Sequence, residues 1–249
     1  MSRQRRQAVI TGGGSGIGLA IARRLAAEGC SVTLVGRNAA RLADAAAGIA
    51  GARAAVCDVG DAAQVNDVFA GLGPVHVLIN NAGVVETASF ANLSDDAWRR
   101  MFDVNLMGAV HCIRAVLPAM RGMAAARIVN VASTAALKGY AYASAYTASK
   151  HALLGLTRAL ALELARTGIT VNAVCPGYTE TAIVEDAVAT IAARTGCTRE
   201  EAREKLTAAN PQGRLITPAE VAQSVAWLVS PAARAVTGQA VVVAGGEVM

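Results

Sequence analysis

Short apolar runs alternate along this chain with longer segments in which apolar residues recur every three or four positions, the pattern of strands taking turns with helices. Ala8 to Thr11 reads as a first strand, followed at once by a glycine-rich turn, and Leu19, Ala22, Leu25 and Ala26 then take a helical period that Gly29 stops. Ser31 to Gly36 predicts a second strand, Asn38 to Ile49 an alanine-rich helix and Arg53 to Val59 a third strand. Asp61 to Leu72 predicts a helix and Val75 to Asn80 a fourth strand. One long helix is expected from a cap at Ser94 to Arg114 or beyond Pro118, with Asp95 and Asp96 placed where negative charge suits the helix dipole. Arg127 to Ser133 is the fifth strand, Ser144 to Arg166 a helix, and Thr170 to Cys175 the sixth strand, broken by Pro176 and Gly177. Residues 178 to about 210 read as a helical lid with a capping box at Thr198 and Glu201. Thr217, Pro218 and Glu220 open another helix, and Ala240 to Ala244 is a last strand. The alternation predicts an α/β chain: one domain over residues 1–249, a doubly wound, seven-stranded parallel sheet flanked by helices, with ligands at the carboxyl ends of the strands.

Composition narrows the function classes. Over 249 residues, 54% are hydrophobic and 16% charged, enough apolar material to cover both faces of a sheet and too much for a disordered chain. The net charge of +5 is scattered apart from Arg3, Arg5 and Arg6, which fits weak attraction for anionic ligands and no nucleic-acid stripe. The five cysteines and three histidines stand isolated, so neither a disulfide framework nor a metal site is expected. The arginine-rich start runs directly into a strand, and no apolar run is long enough to span a bilayer. The expectation is a cytoplasmic protein with no membrane partner.

Two stretches carry candidate chemistry. A glycine-rich turn between strand and helix, Gly12 to Gly18, lets backbone N–H groups and a helix N-terminus approach a pyrophosphate, the Rossmann arrangement. Tyr146 and Lys150 stand four residues apart in a helical segment, so their polar ends share one face. A phenol titrates near pH 10, so a proton-transferring tyrosine needs a downward shift of roughly three units, about 4 kcal/mol. An ammonium at about 4 Å in a partly screened site supplies that order of energy, and Lys150 is expected to do so.

With these pieces in order, the sequence resembles the short-chain dehydrogenase/reductase family over nearly its whole length. The resemblance rests on TGGGSGIG at Thr11 to Gly18, Asp58, NNAG at Asn80 to Gly83, Asn105, Ser133, Tyr146 with Lys150, and Pro176–Gly177 followed by Thr181. It implies an NAD(P)(H)-dependent oxidoreductase that interconverts a ketone and a secondary alcohol. Ser133 would bond the substrate oxygen, and Tyr146 would donate or accept its proton. Lys150 would hold the nicotinamide ribose and lower the phenol pKa, and Asn105 would bond a water that relays protons. Implied cofactor contacts are Gly12, Gly14, Ser15, Gly16, Ile17, Gly18, Asp58, Val59, Asn81, Ala82, Gly83, Tyr146, Lys150, Pro176, Gly177, Thr179 and Thr181.

NAD-specific relatives carry an acid at the end of the second strand, where this chain reads Gly36, Arg37 and Asn38. NADP(H) is therefore favoured over NAD(H), with Arg37 and Asn38 at the 2′-phosphate. Implied substrate contacts are Ser133, Ala135, Tyr140, Tyr146 and Tyr178. The segment His151 to Thr181 looks like 3-oxoacyl-thioester reductases, including ketoreductases of aromatic polyketide synthesis and 3-hydroxyacyl-CoA dehydrogenases. A 3-oxoacyl thioester, linked to coenzyme A more than to a carrier protein, is the expected substrate. A free hydrophobic cyclic or aromatic alcohol or ketone is the alternative, and a non-catalytic dinucleotide sensor a remote one. Family members are commonly homotetramers, and the small face Ala148, Ala152, Gly155, Ala159 and Leu162 fits either close helix contact in such an assembly or core against the sheet.

Overall fold

The structure, a computed structural model, describes residues 5–249; Arg3 of the arginine-rich start lies outside them. In chain order the elements are β1 (Gln7–Thr11), α1 (Gly16–Ala27), β2 (Ser31–Gly36), α2 (Ala39–Ala47), β3 (Arg53–Val56), α3 (Ala62–Ala70) and β4 (Val77–Asn80). They continue with α4 (Asp95–Phe102), α5 (Gly108–Met120), β5 (Ala126–Val131), α6 (Ser144–Glu163), β6 (Ile169–Pro176), α7 (Ala182–Thr195), α8 (Arg199–Thr207), α9 (Pro218–Val229) and β7 (Ala240–Val243). The strands pair in the order β3-β2-β1-β4-β5-β6-β7, every pair parallel, as the alternation predicts. The order reverses between β1 and β4. A crevice opens at such a switch point because the crossovers leave it to opposite sides of the sheet.

Strand periodicity decides the two cores. Ala8, Ile10, Val77, Ile79, Val129 and Val131 point to one face, where α1 and α9 bury Ile21, Leu25, Val221 and Val225 against them. Val9, Leu78, Ala126 and Ile128 point to the other, under Phe69 of α3, Cys112, Ile113 and Val116 of α5, and Ala161 of α6. No helix among the described residues is long and apolar enough to cross a membrane.

Three element ends differ from the sequence expectation. The third strand stops at Val56, because the chain turns at Asp58, whose Oδ1 accepts from Gly60 N–H, and Asp61 then caps α3. The fifth strand stops at Val131, because the Ser133 hydroxyl caps a short turn at Thr134–Ala136 instead of extending the ladder. The helix expected to run unbroken from Ser94 is interrupted by a π-turn at Asp103–Met107, where Asn105 is buried and Gly108 is pressed onto Val59. A Cβ on Gly108 would fall 2.7 Å from the Val59 side chain. Residues 178–210 carry α7 and α8, which pack a small core of Val184, Val188, Ala202 and Leu206 with Leu215 beyond them; the capping box expected at Thr198 and Glu201 is present, and Thr217 and Glu220 form another at the start of α9.

Candidate active site

A chain of buried amides sets the rotation of α6 on the sheet. Asn80 of β4 donates to Asn130 of β5 at 2.9 Å, and Asn130 donates to Thr157 of α6 at 2.8 Å. With α6 fixed there, Tyr146 and Lys150 project near the carboxyl end of β5. Lys150 is 4% exposed, and its ammonium donates to the Val131 carbonyl at 3.0 Å. The ammonium lies 5.8 Å from the centre of the Tyr146 ring. Ser133, in extended backbone just past β5, accepts from Ala135 N–H at 3.1 Å and stands near enough to the Tyr146 phenol to lower its pKa.

The electrostatics correct one expectation. Burial pushes the half-buried Tyr146 phenol up, the Ser133 hydroxyl pulls it back, and Tyr178 and Cys175 add to the rise. Burial also pushes Lys150 down, to about 8, slightly offset by Cys175. The lysine therefore does not make the phenol acidic. A dry site penalises phenolate and ammonium alike, and the ammonium spends itself on a backbone carbonyl. The phenol stays protonated at neutral pH.

Asn105 is buried and holds partners on two segments. Its side chain accepts from Val84 N–H at 2.8 Å and donates to Val84 C=O at 3.0 Å and to the Ser149 hydroxyl at 3.0 Å. It thereby ties the segment after β4 to α6, one residue from Lys150. With both amide protons engaged, one lone pair of its side-chain oxygen is left for a water. Asn105 lies within the π-turn and is buried there, while Asp95, Asp96, Arg99, Arg100 and Arg114 of the flanking helices are exposed.

A cavity of ≈ 380 Å³ runs along the switch point, lined by Gly12, Gly14, Ser15, Gly36, Arg37, Asn38, Asp58, Val59, Ala82 and Gly83 among others. The residues suit a dinucleotide. Ser15 stands at the N-cap of α1 with no side-chain cap bond, so its hydroxyl is free for a phosphate at a helix N-terminus. Gly12 has φ +63, and a Cβ on Gly18 would fall 2.2 Å from the Gly12 carbonyl, so neither position admits a side chain. Gly83, which lines the cavity, lies beside Asn105 and Lys150, whose Oδ1 and Nζ stand 3.3 and 3.5 Å from where its Cβ would be, so the cavity borders the buried ammonium. Arg37 is exposed at the end of β2, 3.8 Å from the Asp58 carboxylate. A larger cavity, ≈ 500 Å³, opens at the opposite edge of the sheet around Arg127 and Arg234 and holds no proton-transfer partner for a carbonyl.

Some predicted contacts turn away. Asn81 spends its amide on the carbonyls of Thr11 and Gly12, so it locks the glycine turn. Thr179 is buried, and its hydroxyl donates to Gly177 C=O at 2.9 Å. Ala135 is 1% exposed beneath its own loop and offers no surface to a substrate. Thr181 stands at the start of α7 without a side-chain cap bond, its hydroxyl donating to Thr179 C=O and its methyl over Gly16, 3.1 Å from where that residue's Cβ would stand, while Ile17 packs into the sheet core. Pro176 ends β6 with Gly177 behind it, and Tyr140 and Tyr178 meet edge to face at 6.1 Å.

Two residues were missed by sequence reasoning. Arg41 lines the cavity beside Arg37, its stem lying over Gly14, and only the Asn38 cap, which accepts from Arg41 N–H, marked its position. Glu247, after β7, buries its carboxylate against Gly177, Tyr140 and Lys138, and no local pattern announced it.

Residues 6–192 match the short chain dehydrogenase family. A Streptomyces coelicolor protein with the provisional name ketoacyl reductase is 43% identical over 96% of this chain and 95% of its own length. D-beta-hydroxybutyrate dehydrogenase of Cupriavidus necator is 38% identical over 93% of each chain. The crystal structure of a variant of actinorhodin polyketide ketoreductase with NADPH superimposes with a TM-score of 0.94 at 42% identity, over 99% of both chains.

Proposed function

The chain belongs to the short chain dehydrogenase family, and from that premise we propose that Ser133, Tyr146 and Lys150 handle the proton in reduction of a 3-oxoacyl thioester. The protein is an NAD(P)-dependent oxidoreductase that interconverts a ketone and a secondary alcohol. One observation carries the assignment of residues: a serine hydroxyl, a phenol and a buried ammonium gather at the carboxyl end of β5, next to a groove suited to a dinucleotide.

A nicotinamide held in this groove would supply or accept the hydride. Ser133 donates a hydrogen bond to the substrate oxygen and holds it against Tyr146. Tyr146 gives up its phenolic proton as that oxygen gains charge. Lys150, held against the Val131 carbonyl beside Gly83, would hold the ribose of a bound nicotinamide nucleotide and offset the negative charge that develops on the phenol. Asn105 fixes both neighbours of this cluster, and a water on its remaining lone pair would return the proton from solvent. A phenol held protonated by its surroundings favours reduction at neutral pH.

NADP(H) is favoured over NAD(H) because Arg37 and Arg41 both border the adenosine end of the cavity, where guanidinium forks suit a 2′-phosphate. Coenzyme A linkage is favoured over a carrier protein. A free cyclic or aromatic ketone is the second reading, supported by the Tyr140–Tyr178 corner. The protein is further proposed to act as a single domain with α7 and α8 as its lid, and as a homotetramer. The Ala148–Leu162 face lies outside the core, with Leu162 81% exposed and open space over Gly155, and so is available for helix contact. The test is a screen of 3-oxoacyl-CoA, 3-hydroxyacyl-CoA and free ketones with both nicotinamides in both oxidation states. Reduction of simple ketones hundreds of times better than acetoacetyl-CoA would overturn the thioester assignment.

A further inference from the structure

The two-glycine turn after β7, Gly245–Gly246, delivers Glu247 back into the molecule. Its side chain is 1% exposed. The carboxylate accepts from the Tyr140 hydroxyl and from the Lys138 ammonium at 3.0 Å. It also lies over Gly177, where a Cβ would fall 2.7 Å from Oε2. One carboxylate thus joins three segments: the loop between Ser133 and Tyr146, the turn that leads into the lid, and the chain beyond β7.

Proton counting orients the network. Tyr140 has a single hydroxyl proton and gives it to the carboxylate, so its oxygen must accept from Thr134, whose hydroxyl lies 2.6 Å away. That double anchoring fixes the ring of Tyr140, which stands at 85° to Tyr178, with the Lys138 ammonium 4.9 Å from its centre. A buried carboxylate is a weak device for stability, because desolvation opposes its ion pair. Its effect here is geometric.

We propose that Glu247 is a positioning residue that determines substrate specificity, holding Tyr140 edge-on to Tyr178 so that the two rings form a rigid corner selecting acyl or ketone substrates with a flat ring over short unbranched chains. The inference rests on the reductase reading above.

The test compares the full-length protein with Glu247→Ala and Glu247→Gln, using NADPH with 2-tetralone as the flat probe and acetoacetyl-CoA as the short one. Glu247→Ala is expected to raise the KM for 2-tetralone about tenfold or more, with kcat within about threefold and the KM for acetoacetyl-CoA within about twofold. Glu247→Gln keeps an acceptor for Tyr140 and is expected to recover most of that loss. Equal loss on both substrates, a fall in kcat with both KM values unmoved, or a Gln variant as impaired as Ala would overturn the proposal. If the parent reduces no carbonyl, the reductase reading falls, and the near-ultraviolet circular dichroism of the tyrosines decides this one: a band unchanged in Glu247→Ala refutes it. Should Glu247→Ala not fold, Tyr140→Phe severs the same link and must give the same KM shift.

Discussion

Replacing Lys150 by methionine should make the protein more stable and abolish its activity. Lys150 is 4% exposed, and burial holds its pKa at about 8, below the 10.5 of a free lysine. A base whose folded pKa lies below its unfolded one weakens the fold wherever both states are charged. That penalty is complete below pH 8 and fades as pH rises toward 10.5. At 1.36 kcal/mol per unit, the gap of 10.5 − 8 gives a penalty of about 3 kcal/mol at pH 7, falling to about 1.4 kcal/mol at pH 9.5. Methionine fills a similar volume with no charge and forfeits the bond to the Val131 carbonyl, worth about 1 kcal/mol. The expected net gain is about 2 kcal/mol at pH 7 and close to zero at pH 9.5. Urea melts of parent and Lys150→Met at both pH values, without cofactor, read the difference directly. A variant less stable than its parent at pH 7, or an advantage that does not shrink with pH, would refute the argument that burial sets the charge of this lysine. A positive result would place the lysine among the groups held at a cost in stability for the sake of the reaction.

Other outcomes follow from the same geometry. Tyr146→Phe should lower carbonyl reduction by roughly 100- to 10,000-fold, the usual range for a lost general acid, and a rate within tenfold of the parent would remove Tyr146 from the mechanism. Because the phenol is held protonated, oxidation of a 3-hydroxyacyl substrate should climb as pH rises above neutrality while reduction does not; a pH–rate profile with both directions falling together would contradict this. The double change Arg37→Ala, Arg41→Ala should raise the KM for NADPH by roughly 10- to 100-fold, the worth of one charge-assisted contact, and leave that for NADH unmoved. An unchanged ratio of the two constants would mean that these arginines are solvent-facing charges only.

How much of this was legible in the sequence depends on the range of the interaction involved. Strand and helix periodicity, the glycine turn and the caps at Ser94, Thr198 and Thr217 are local, because each is set by residues within one turn or one pleat of one another, and these reappear in the fold within a few residues. The family motifs likewise located Ser133, Tyr146 and Lys150 before any coordinate. The π-turn was not readable, because what favours it is Asn105 bonding Val84 and Ser149 from 21 and 44 residues away. The protonation of Tyr146 and Lys150 was misread for a related reason. Spacing along a helix shows that two groups can meet, whereas burial, which fixes their charge, is contributed by distant elements such as α4, β5 and β6.

Arg41 and Glu247 mark the same boundary. Sequence placed Arg37 at the end of a strand, where the ligand rule for parallel sheets makes every residue informative. It could not show that the first turn of α2 folds Arg41 back over Gly14, nor that a carboxylate beyond the last strand closes against Tyr140, 107 residues away. The sequence by itself determined the sheet, its switch point and the candidate residues gathered at the end of β5, since these follow from period, turn chemistry and motif. Tertiary structure alone decided which of those groups are charged and which are occupied by the backbone, because desolvation and packing belong to no single segment of the chain.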